Sequence, residues 1–509
     1  MFDFNSVREQ VYRIIFEGRR NLLKDEEFIV KEIQKFMVSR RRKEMLDGER
    51  YYSGRHDILS KKRMVIGENG ELEEVTNLPN NRIVDNQYGK MVDQKKNYLL
   101  GQPLVFKTEN EQYAKLLKQI FNKQFMRIIK NVGEDALNEG IGWLFVGYDE
   151  HGQFTFKRIK GFEIIPGWKD AEHTILDYAI RIYPVIAYEG KTPKTIYKVE
   201  VYEENGIYRF IYEGGRLYQD DNPFENYFTV IDTDDQGNEI QQGWNWSKIP
   251  LIPFKYNSNE IPLIKKVKTL QDGLNTILSN FQNNMEEDAR NTILVLVNYD
   301  GEKLGEFRRN LAQYGAVKVK TIDGAAGDLK TLQVEVNSDN YKVIIELFKK
   351  AIIENAKGYD AKDDRLSGNP NQMNIQSMYS DIDLDANEME TEFQASFEQL
   401  LWYVNAHLFN IGCGDFEQEE VEIIFNRDIL ISEGEAIDNC QKSVGLLSDE
   451  TIIANHPWID DPRAEMEKLE AQKKKEQEEA DLYRNAFGFG GQNKDPTKPD
   501  DKGGGVDEE

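Results

Sequence analysis

The stretch from Asn259 to Ile411 constrains the fold more than any other part of the chain. It contains three patterns in which apolar residues recur in steps of three and four, as in helices with one buried face. The two shorter patterns predict helices over residues 259–291 and 338–358, and the longest predicts a helix over 375–412. Each apolar stripe is narrow, so each helix needs a neighbour along its whole length.

Two segments that join these helices have different compositions. Residues 292–337 contain three short strand-like runs separated by glycines, which predicts a small β-rich tip. Two helices of about 20 residues would hold that tip on the order of 30 Å from the rest of the protein. Residues 359–374, YDAKDDRLSGNPNQMN, are too polar for a core and predict a loop that begins after a helix end at Gly358.

The flanking parts predict an α+β domain and a helical end. Residues 1–258 combine three helical patterns with a series of period-two strand patterns, and Asn205-Gly206 predicts a tight hairpin turn. Ser6 to Leu46 is predicted as the first helical stretch. Residues 413–486 predict one strand followed by helices, and the Gly-, Lys-, Asp- and Pro-rich residues 487–509 predict a disordered tail. The predicted fold class is α+β.

Composition limits the possible functions. The chain has 509 residues, a net charge of -25 and 39% hydrophobic residues, so it can form several cores beneath an anionic surface. That surface disfavours a protein that wraps nucleic acid or binds an anionic membrane, but it does not exclude a protein past which DNA slides without sticking. Cys413 and Cys440 have no metal or redox spacing, which favours a reducing compartment. No apolar run reaches membrane-spanning length, and the charged amphipathic start is unlike a signal peptide.

Motifs that suggest chemistry are incomplete. Gly190-Lys191-Thr192 ends like a phosphate-binding loop, but Val185 occupies the position of its first glycine. The acidic run from Asp381 to Glu392 has the spacing of a calcium loop, but Ala386 replaces the turn glycine and the helical stripe continues through it. The five histidines are scattered, and we expect His407 to be a packed, half-buried residue of the long helix. We therefore expect no enzyme activity, no metal and no cofactor.

Five segments occur in an order that resembles one protein family. They are YYSGRHDIL from Tyr51, NNRIVDNQYGKMVDQKKNYLLGQP from Asn80, KIPLIPFKYNSNE from Lys248, PLIKKVKTLQDGLNTILSNFQNNME from Pro262 and SGNPNQMNIQSMYSDIDLDANEMETEF from Ser367. Through them the chain resembles the portal proteins of tailed bacteriophages, in the group typified by the SPP1 portal, over nearly its whole length.

The resemblance implies an architecture and partners. It implies a wing over residues 1–258, stem helices over 259–291 and 338–358, a clip over 292–337, a tunnel loop over 359–374, a long wing or spine helix over 375–412 and a crown within 413–486. It also implies a ring of about twelve subunits at one capsid vertex of the virion, assembled in the host cytoplasm. Double-stranded DNA would pass through its axis, and the terminase large subunit, a head-completion adaptor, and capsid and scaffolding proteins would bind it.

Candidate site residues follow from these assignments. A channel for DNA needs weak, replaceable phosphate contacts. Candidates on the second stem helix and the tunnel loop are Lys342, Lys349, Lys357, Lys362, Asp363, Asp364 and Arg365. Phe281 and Phe348 are predicted to pack in the apolar stripes of the two stem helices. The alternatives are a scaffold or tail protein without a channel, and a packaging ATPase or nuclease.

Overall fold

The computed structural model describes residues 26–66, 70–76, 78–233, 239–288, 292–297, 328–333, 338–360, 372–427, 433–459 and 462–486. The predicted tail and most of the predicted β-rich tip therefore lie outside the described residues. The chain divides into two compact units. One contains residues 1–362 and 378–429, and the other contains residues 363–377 and 430–509.

The helices and strands mix along the chain, as expected for an α+β protein. The helices are α1 (Glu26–Met37), α2 (Arg40–Tyr52), α3 (Gln87–Leu100), α4 (Glu111–Ile120), α5 (Lys123–Glu139), α6 (Ile264–Asp288), α7 (Ser338–Asn355), α8 (Gln372–Asn410), α9 (Glu433–Ser443), α10 (Asp449–Ala454) and α11 (Pro462–Ala486), with short 3-10 helices at Asp57–Ser60 and Gly161–Glu163. Among the described residues, no helix is both long and apolar enough to cross a membrane.

The strands form antiparallel sheets. They are β1 (Met64–Ile66), β2 (Leu72–Glu74), β3 (Val105–Lys107), β4 (Ile141–Tyr148), β5 (Phe154–Ile159), β6 (Ile164–Trp168), β7 (Leu176–Glu189), β8 (Thr192–Glu203), β9 (Gly206–Glu213), β10 (Arg216–Glu225), β11 (Phe228–Thr233), β12 (Glu239–Trp244), β13 (Leu251–Lys255), β14 (Thr292–Val297), β15 (Asp328–Gln333) and β16 (Glu422–Ile424). Five strands form a sheet in the order β10-β9-β8-β7-β6, and three form a sheet in the order β13-β4-β5. The pairs β1 with β2, β3 with β16, β11 with β12, and β14 with β15 form two-stranded ribbons.

Two turns of the five-stranded sheet follow from local sequence. The predicted Asn205-Gly206 hairpin joins β8 to β9, and Gly206 has a φ of 138°, which favours glycine. Gly190 has a φ of 66° in the tight turn between β7 and β8, so the incomplete phosphate-loop motif is a hairpin turn.

The predicted first helical stretch is broken within its described part. α1 ends at Met37 and α2 begins at Arg40, with the Ser39 hydroxyl accepting a hydrogen bond from the Arg42 N–H at 3.1 Å. This cap starts a new helix because Ser39 is extended, with a ψ of 146°. α1 instead packs on the five-stranded sheet, where Ile29 and Ile33 lie in a buried cluster. The prediction of one continuous helix was therefore wrong at this point.

The long helix α8 is confirmed and continues through the acidic run from Asp381 to Glu392. Its buried face is aromatic: the Phe254 ring of β13 lies edge-on to Phe393 and Phe397, with ring centroids 5.0 and 5.3 Å away. Such contacts stabilise the pair beyond the area that they bury. The small sheet is thereby fixed against the helix.

His407 of α8 is half-buried, as predicted. Its ring stacks on Phe154 with a centroid distance of 4.4 Å, and its Nδ1 shares a hydrogen bond of 3.0 Å with the Tyr148 hydroxyl. Burial lowers the pKa of His407. The unfolded chain therefore binds this proton more readily, and stability falls as the pH drops below about 6.5.

We expect His407→Gln to remove part of this pH dependence. The thermal unfolding midpoint of the variant should fall less steeply between pH 6.5 and 5 than that of the wild type. His151→Gln, at an exposed position in the β4–β5 turn, is the control. Equal slopes for all three proteins would show that His407 does not contribute.

Candidate functional site: the arm junction

Helices α6 and α7 pack against each other, and we call this pair the helical arm. α6 has two buried faces. Val267 and Leu274 are apolar and fully buried. A second row of buried side chains is polar and recurs every fourth residue: Gln271, Asn275, Ser279 and Asn283. Buried polar groups need hydrogen-bond partners, so this row indicates a bound segment.

The extended segment from Asn81 to Asp85 binds this polar row. Backbone N–H groups of alternate residues donate to side-chain oxygens on successive turns of α6: Asn81 to Asn283 (2.7 Å), Ile83 to Ser279 (2.9 Å) and Asp85 to Asn275 (3.0 Å). Alternate residues of an extended chain are about 6.6 Å apart, and four residues of a helix rise about 6 Å. The matching repeats allow α6 to accept the segment as a neighbouring strand would.

Asp85 also joins this segment to the second arm helix. Its carbonyl accepts a hydrogen bond from the Gln271 Nε2 at 2.7 Å, and its carboxylate lies 2.8 Å from the Lys349 Nζ of α7. The Gln271 Oε1 accepts a bond from the Tyr88 N–H at 3.0 Å, in the first turn of α3. Both arm helices are therefore attached to the segment that precedes α3.

A buried ion pair forms a second attachment. The Lys95 Nζ of α3 lies 2.7 Å from the Asp385 Oδ2 of α8, and both side chains are almost fully buried. The Tyr256 hydroxyl donates to the same oxygen at 2.6 Å. Lys266 and Lys357 approach the Asp385 Oδ1 to 3.6 and 3.7 Å. Three lysines thus share one aspartate where both arm helices meet α3 and α8.

The pKa values of Lys95 and Asp385 reflect their burial and the presence of three lysines around one aspartate. Burial, which disfavours the charged ammonium, lowers the pKa of Lys95 to about 8, although the Asp385 carboxylate opposes the shift. Burial alone would raise the pKa of Asp385. The charge of Lys95 and the hydrogen bonds from Lys95 and Tyr256 nevertheless bring it below its usual range. Asp385 is therefore the charged residue on which the junction depends.

The start of the arm has its own buried carboxylate. Glu260 has a φ of 54° and is 6% exposed, and its side chain pairs with Arg41 and with the His173 Nδ1, the latter at 2.7 Å. Positive φ is unfavourable for a residue with a Cβ atom, so the surrounding contacts hold this conformation. We define the arm junction as Asn81–Asp85, Lys95, Tyr256, Glu260 and Asp385 with the arm residues that they bind.

The two aromatic residues predicted to pack in the arm are half-buried. Phe281 contacts Tyr341 of α7, with ring centroids 4.8 Å apart. Phe348 packs over Gly273, where a Cβ atom would lie 2.5 Å from its ring, so glycine permits the close approach of the helices. Ile344, predicted in the same stripe as Phe348, is 40% exposed, because the face of α7 that contacts α6 is narrower than the apolar pattern.

The described residues among the predicted DNA contacts have different ion-pair partners and different exposure. Lys342 is exposed and lies 3.8 Å from Asp339. Lys349 pairs with Asp85, and Lys357 follows the end of α7 and faces Asp385. Residues 362–365 lie outside the described residues.

The boundaries of the predicted loop also differ. Gln372 to Asn374 belong to the first turn of α8, and the backbone of Tyr359 forms hydrogen bonds with Gln94 of α3. The turn after α7 has its positive φ at Lys357, with 51°, and not at Gly358. The prediction of Gly358 as the helix cap was therefore wrong. Gly358 is required because a Cβ atom there would lie 2.6 Å from the Met91 Sδ.

One group of carboxylates has metal-like spacing. The oxygens of Glu49, Asp135 and Glu139 lie within 4.8 Å of one another. The Lys160 ammonium already occupies this group, 2.6 Å from Asp135 and 3.6 Å from Glu139, and it also pairs with Glu49. Burial raises the pKa of Glu139 well above its usual range. The arrangement is a buried ion-pair cluster.

Sequence analysis missed most of the junction. The four-residue repeat of polar residues on α6 was a readable signal, because amides and hydroxyls at helical spacing form one face. The pairing of Lys95 with Asp385 gave no such signal, because in a highly charged chain each lysine has many carboxylates with which it could pair.

Comparisons with known proteins extend over nearly the whole chain. A family model described as "Phage portal protein, SPP1 Gp6-like" matches residues 37–479. The portal protein of Bacillus phage SPP1 is 26% identical over 470 residues, covering 91% of this chain and 89% of that protein. The portal protein of Clostridium phage phiCD119 is 28% identical over 447 residues, covering 86% and 93%.

Two solved structures show weaker similarity. They are the neck of an empty gene transfer agent particle and the virion of a native gene transfer agent particle, with TM-scores of 0.39 and 0.37. Both are 12% identical to this chain, and each match covers 72% of this chain and 88% of the other.

Proposed function

The chain belongs to the SPP1 Gp6-like family of phage portal proteins, and from this premise we propose that its copies assemble into a closed ring at one capsid vertex of a phage or prophage particle. DNA would pass through the axis of this ring during packaging and ejection. The family match to residues 37–479 supports this role for nearly the whole chain. The ring would act as a structural conduit and not as an enzyme.

The exposed apolar face of α7 is the structural observation that best supports a ring. Val343, Ile344 and Leu347 are 57%, 40% and 60% exposed in the single chain. They lie within five residues of one another on a helix whose opposite face packs on α6. A heterologous interface that closes into a ring would cover such a face on every subunit. Twelve is the subunit number that we propose, from the family resemblance.

From the same premise we assign a role to each part of the chain. Residues 1–258 would form the wing, α6 and α7 the stem, residues 292–337 the clip, 359–374 the tunnel loop, 375–412 the spine and 413–486 wing and crown. The clip would bind the terminase large subunit during packaging and a head-completion adaptor afterwards. Its two described strands, β14 and β15, pair in an antiparallel ribbon, and edges of such ribbons suit pairing between chains. Capsid and scaffolding proteins would contact the outer parts of the ring.

The proposed DNA contacts combine one exposed lysine with the mixed charges of the loop. The Lys342 side chain is 74% exposed, and its ammonium lies 3.8 Å from the carboxylate of Asp339, which is also exposed. Lys349 and Lys357 pair with carboxylates of the junction, which would weaken any phosphate contact that they make. Lys362, Asp363, Asp364 and Arg365 would supply short-lived contacts around the axis.

We expect the double variant Asp363→Asn and Asp364→Asn to form rings but to package DNA more slowly. Removing two negative charges from each loop strengthens phosphate binding, and the effect should grow as the salt concentration falls. The measurement is packaged DNA length against salt. Glu417→Gln with Glu420→Gln, two exposed residues after α8, makes the same change in charge elsewhere. A curve that matches the wild type at every salt concentration would remove the channel role from this loop.

Electron microscopy of the purified full chain tests the proposed function. We expect closed rings with a central hole. Filaments, or compact particles without a hole, would favour the scaffold or tail alternative. An ATPase or nuclease activity that copurifies with the rings, and that disappears when the rings are removed, would contradict a structural role.

A further inference from the structure

The chain that leaves α7 is held in an unfavourable conformation. The Lys357 N–H donates to the Glu354 carbonyl at 3.0 Å and the Gly358 N–H to the Ile353 carbonyl at 2.9 Å, the paired bonds of a helix-ending turn. Glycine usually occupies the left-handed position of this turn, but Lys357 occupies it here. Contacts from outside the turn must therefore stabilise it.

Helix α3 supplies these contacts on consecutive residues. The Lys95 Nζ donates to the Lys357 carbonyl at 3.0 Å. The Gln94 Nε2 donates to the Tyr359 carbonyl at 2.9 Å, and the Gln94 Oε1 accepts from the Tyr359 N–H at 3.0 Å. This pair of bonds copies one rung of an antiparallel strand pair, so it fixes both the position and the direction of the Tyr359 backbone.

The side chain of Tyr359 is held from another direction. Its ring contacts Tyr379 of α8 with a centroid distance of 4.6 Å, and Tyr379 stacks on Tyr98 of α3 at 5.7 Å. Tyr359 thus lies between the two helices that also contribute Lys95 and Asp385. Tyr359 and Asp360 are the described residues of the predicted tunnel loop that precede α8, so these contacts hold the start of that loop.

We propose that Gln94 is a positioning residue for the tunnel loop. By holding the Tyr359 backbone, it fixes the position at which the loop starts, at Tyr359 and Asp360. This inference rests on the proposed function, because it assumes that the loop lines a channel. If Gln94 only stabilised the fold, its loss would lower stability without a selective effect on DNA movement.

Gln94→Met tests this proposal, because methionine keeps the volume beside Gly358 but forms neither bond to Tyr359. We expect hydrogen exchange at the Tyr359 amide to become about fivefold to tenfold faster, with rings intact and less DNA packaged per particle. Gln112→Met is the matched control. The Gln112 Nε2 also donates to a distant backbone carbonyl, that of Cys413, at 3.1 Å. Neither of these two residues belongs to the arm or to the arm junction. This control should package DNA normally.

A second variant keeps the test decisive if Gln94→Met fails to assemble. Gln94→Glu retains an acceptor for the Tyr359 N–H and loses only the donor to its carbonyl, so exchange and packaging should be intermediate. Unchanged exchange at Tyr359 in both variants would overturn the contact. Faster exchange with wild-type packaging would overturn the positioning role. Failure of the proposed function would look different, because the wild-type chain itself would then form no closed rings with a central hole.

Discussion

Replacing Asp385 with asparagine should lower the free energy of unfolding by about 3 to 5 kcal/mol, because it leaves buried Lys95 without its counter-charge. Lys266 and Lys357 face the same carboxylate, so their mutual repulsion adds to the cost. The amide nitrogen that replaces one oxygen is a donor and cannot accept from Lys95 or Tyr256. Urea unfolding followed by tryptophan fluorescence measures the change.

Two comparisons separate the junction from a general charge effect. Asp381→Asn removes an exposed carboxylate from the same helix and should change stability by less than about 0.5 kcal/mol. The double variant Lys95→Met with Asp385→Leu removes the pair together and should recover much of the lost stability, since no buried charge remains between these positions. Wild-type stability in Asp385→Asn alone would show that Lys95 is satisfied by other groups.

Leu347→Asn should dissociate the proposed rings while each chain stays folded. Leu347 is 60% exposed in the single chain, so its replacement removes few contacts within the fold. Burying a leucine side chain contributes about 1.5 to 3 kcal/mol, and in a ring this loss recurs at every interface. We expect rings to give way to smaller species at micromolar concentration, measured by native mass spectrometry and electron microscopy.

The matched control is Lys350→Asn, which changes an exposed polar residue of the same helix. It should leave both assembly and folding unchanged. Phe348→Ala should differ from both, because Phe348 packs on Gly273 and its loss would weaken the arm as well as the ring. Leu347→Asn rings that survive dilution like the wild type would place the subunit interface on another face.

Local patterns made much of the helical framework predictable. The stripe of α8 continues through residues that imitate a calcium loop, and the structure confirms one helix over Gln372–Asn410. Steps of three and four reflect the geometry of the helix itself, so they can be recognised without knowing the tertiary arrangement. The same is true of the Asn205-Gly206 turn, whose backbone conformation depends on its own residues.

The predictions from local sequence failed at positions where a tertiary contact determines the conformation. Gly358 matched the composition of a helix cap, but the left-handed residue is Lys357, and the glycine accommodates Met91 of another helix. Ser39 is a capping residue that the sequence shows, and it starts the second of the two helices. The chain breaks there because α1 packs on the five-stranded sheet, a contact that the local sequence does not show. Ile344 continued an apolar stripe whose full width no neighbour within the chain covers.

The sequence by itself determined many of the stretches that become helices and strands, and its ordered segments indicated the portal family. The tertiary structure alone decided the partners at the arm junction, where Asp85 meets Asn275 across 190 residues and Lys95 meets Asp385 across 290. Periodicity encodes which face of an element is buried, but a hydrogen bond or ion pair needs two particular groups at one distance. Many polar residues could satisfy each of them, and only the folded chain selects one.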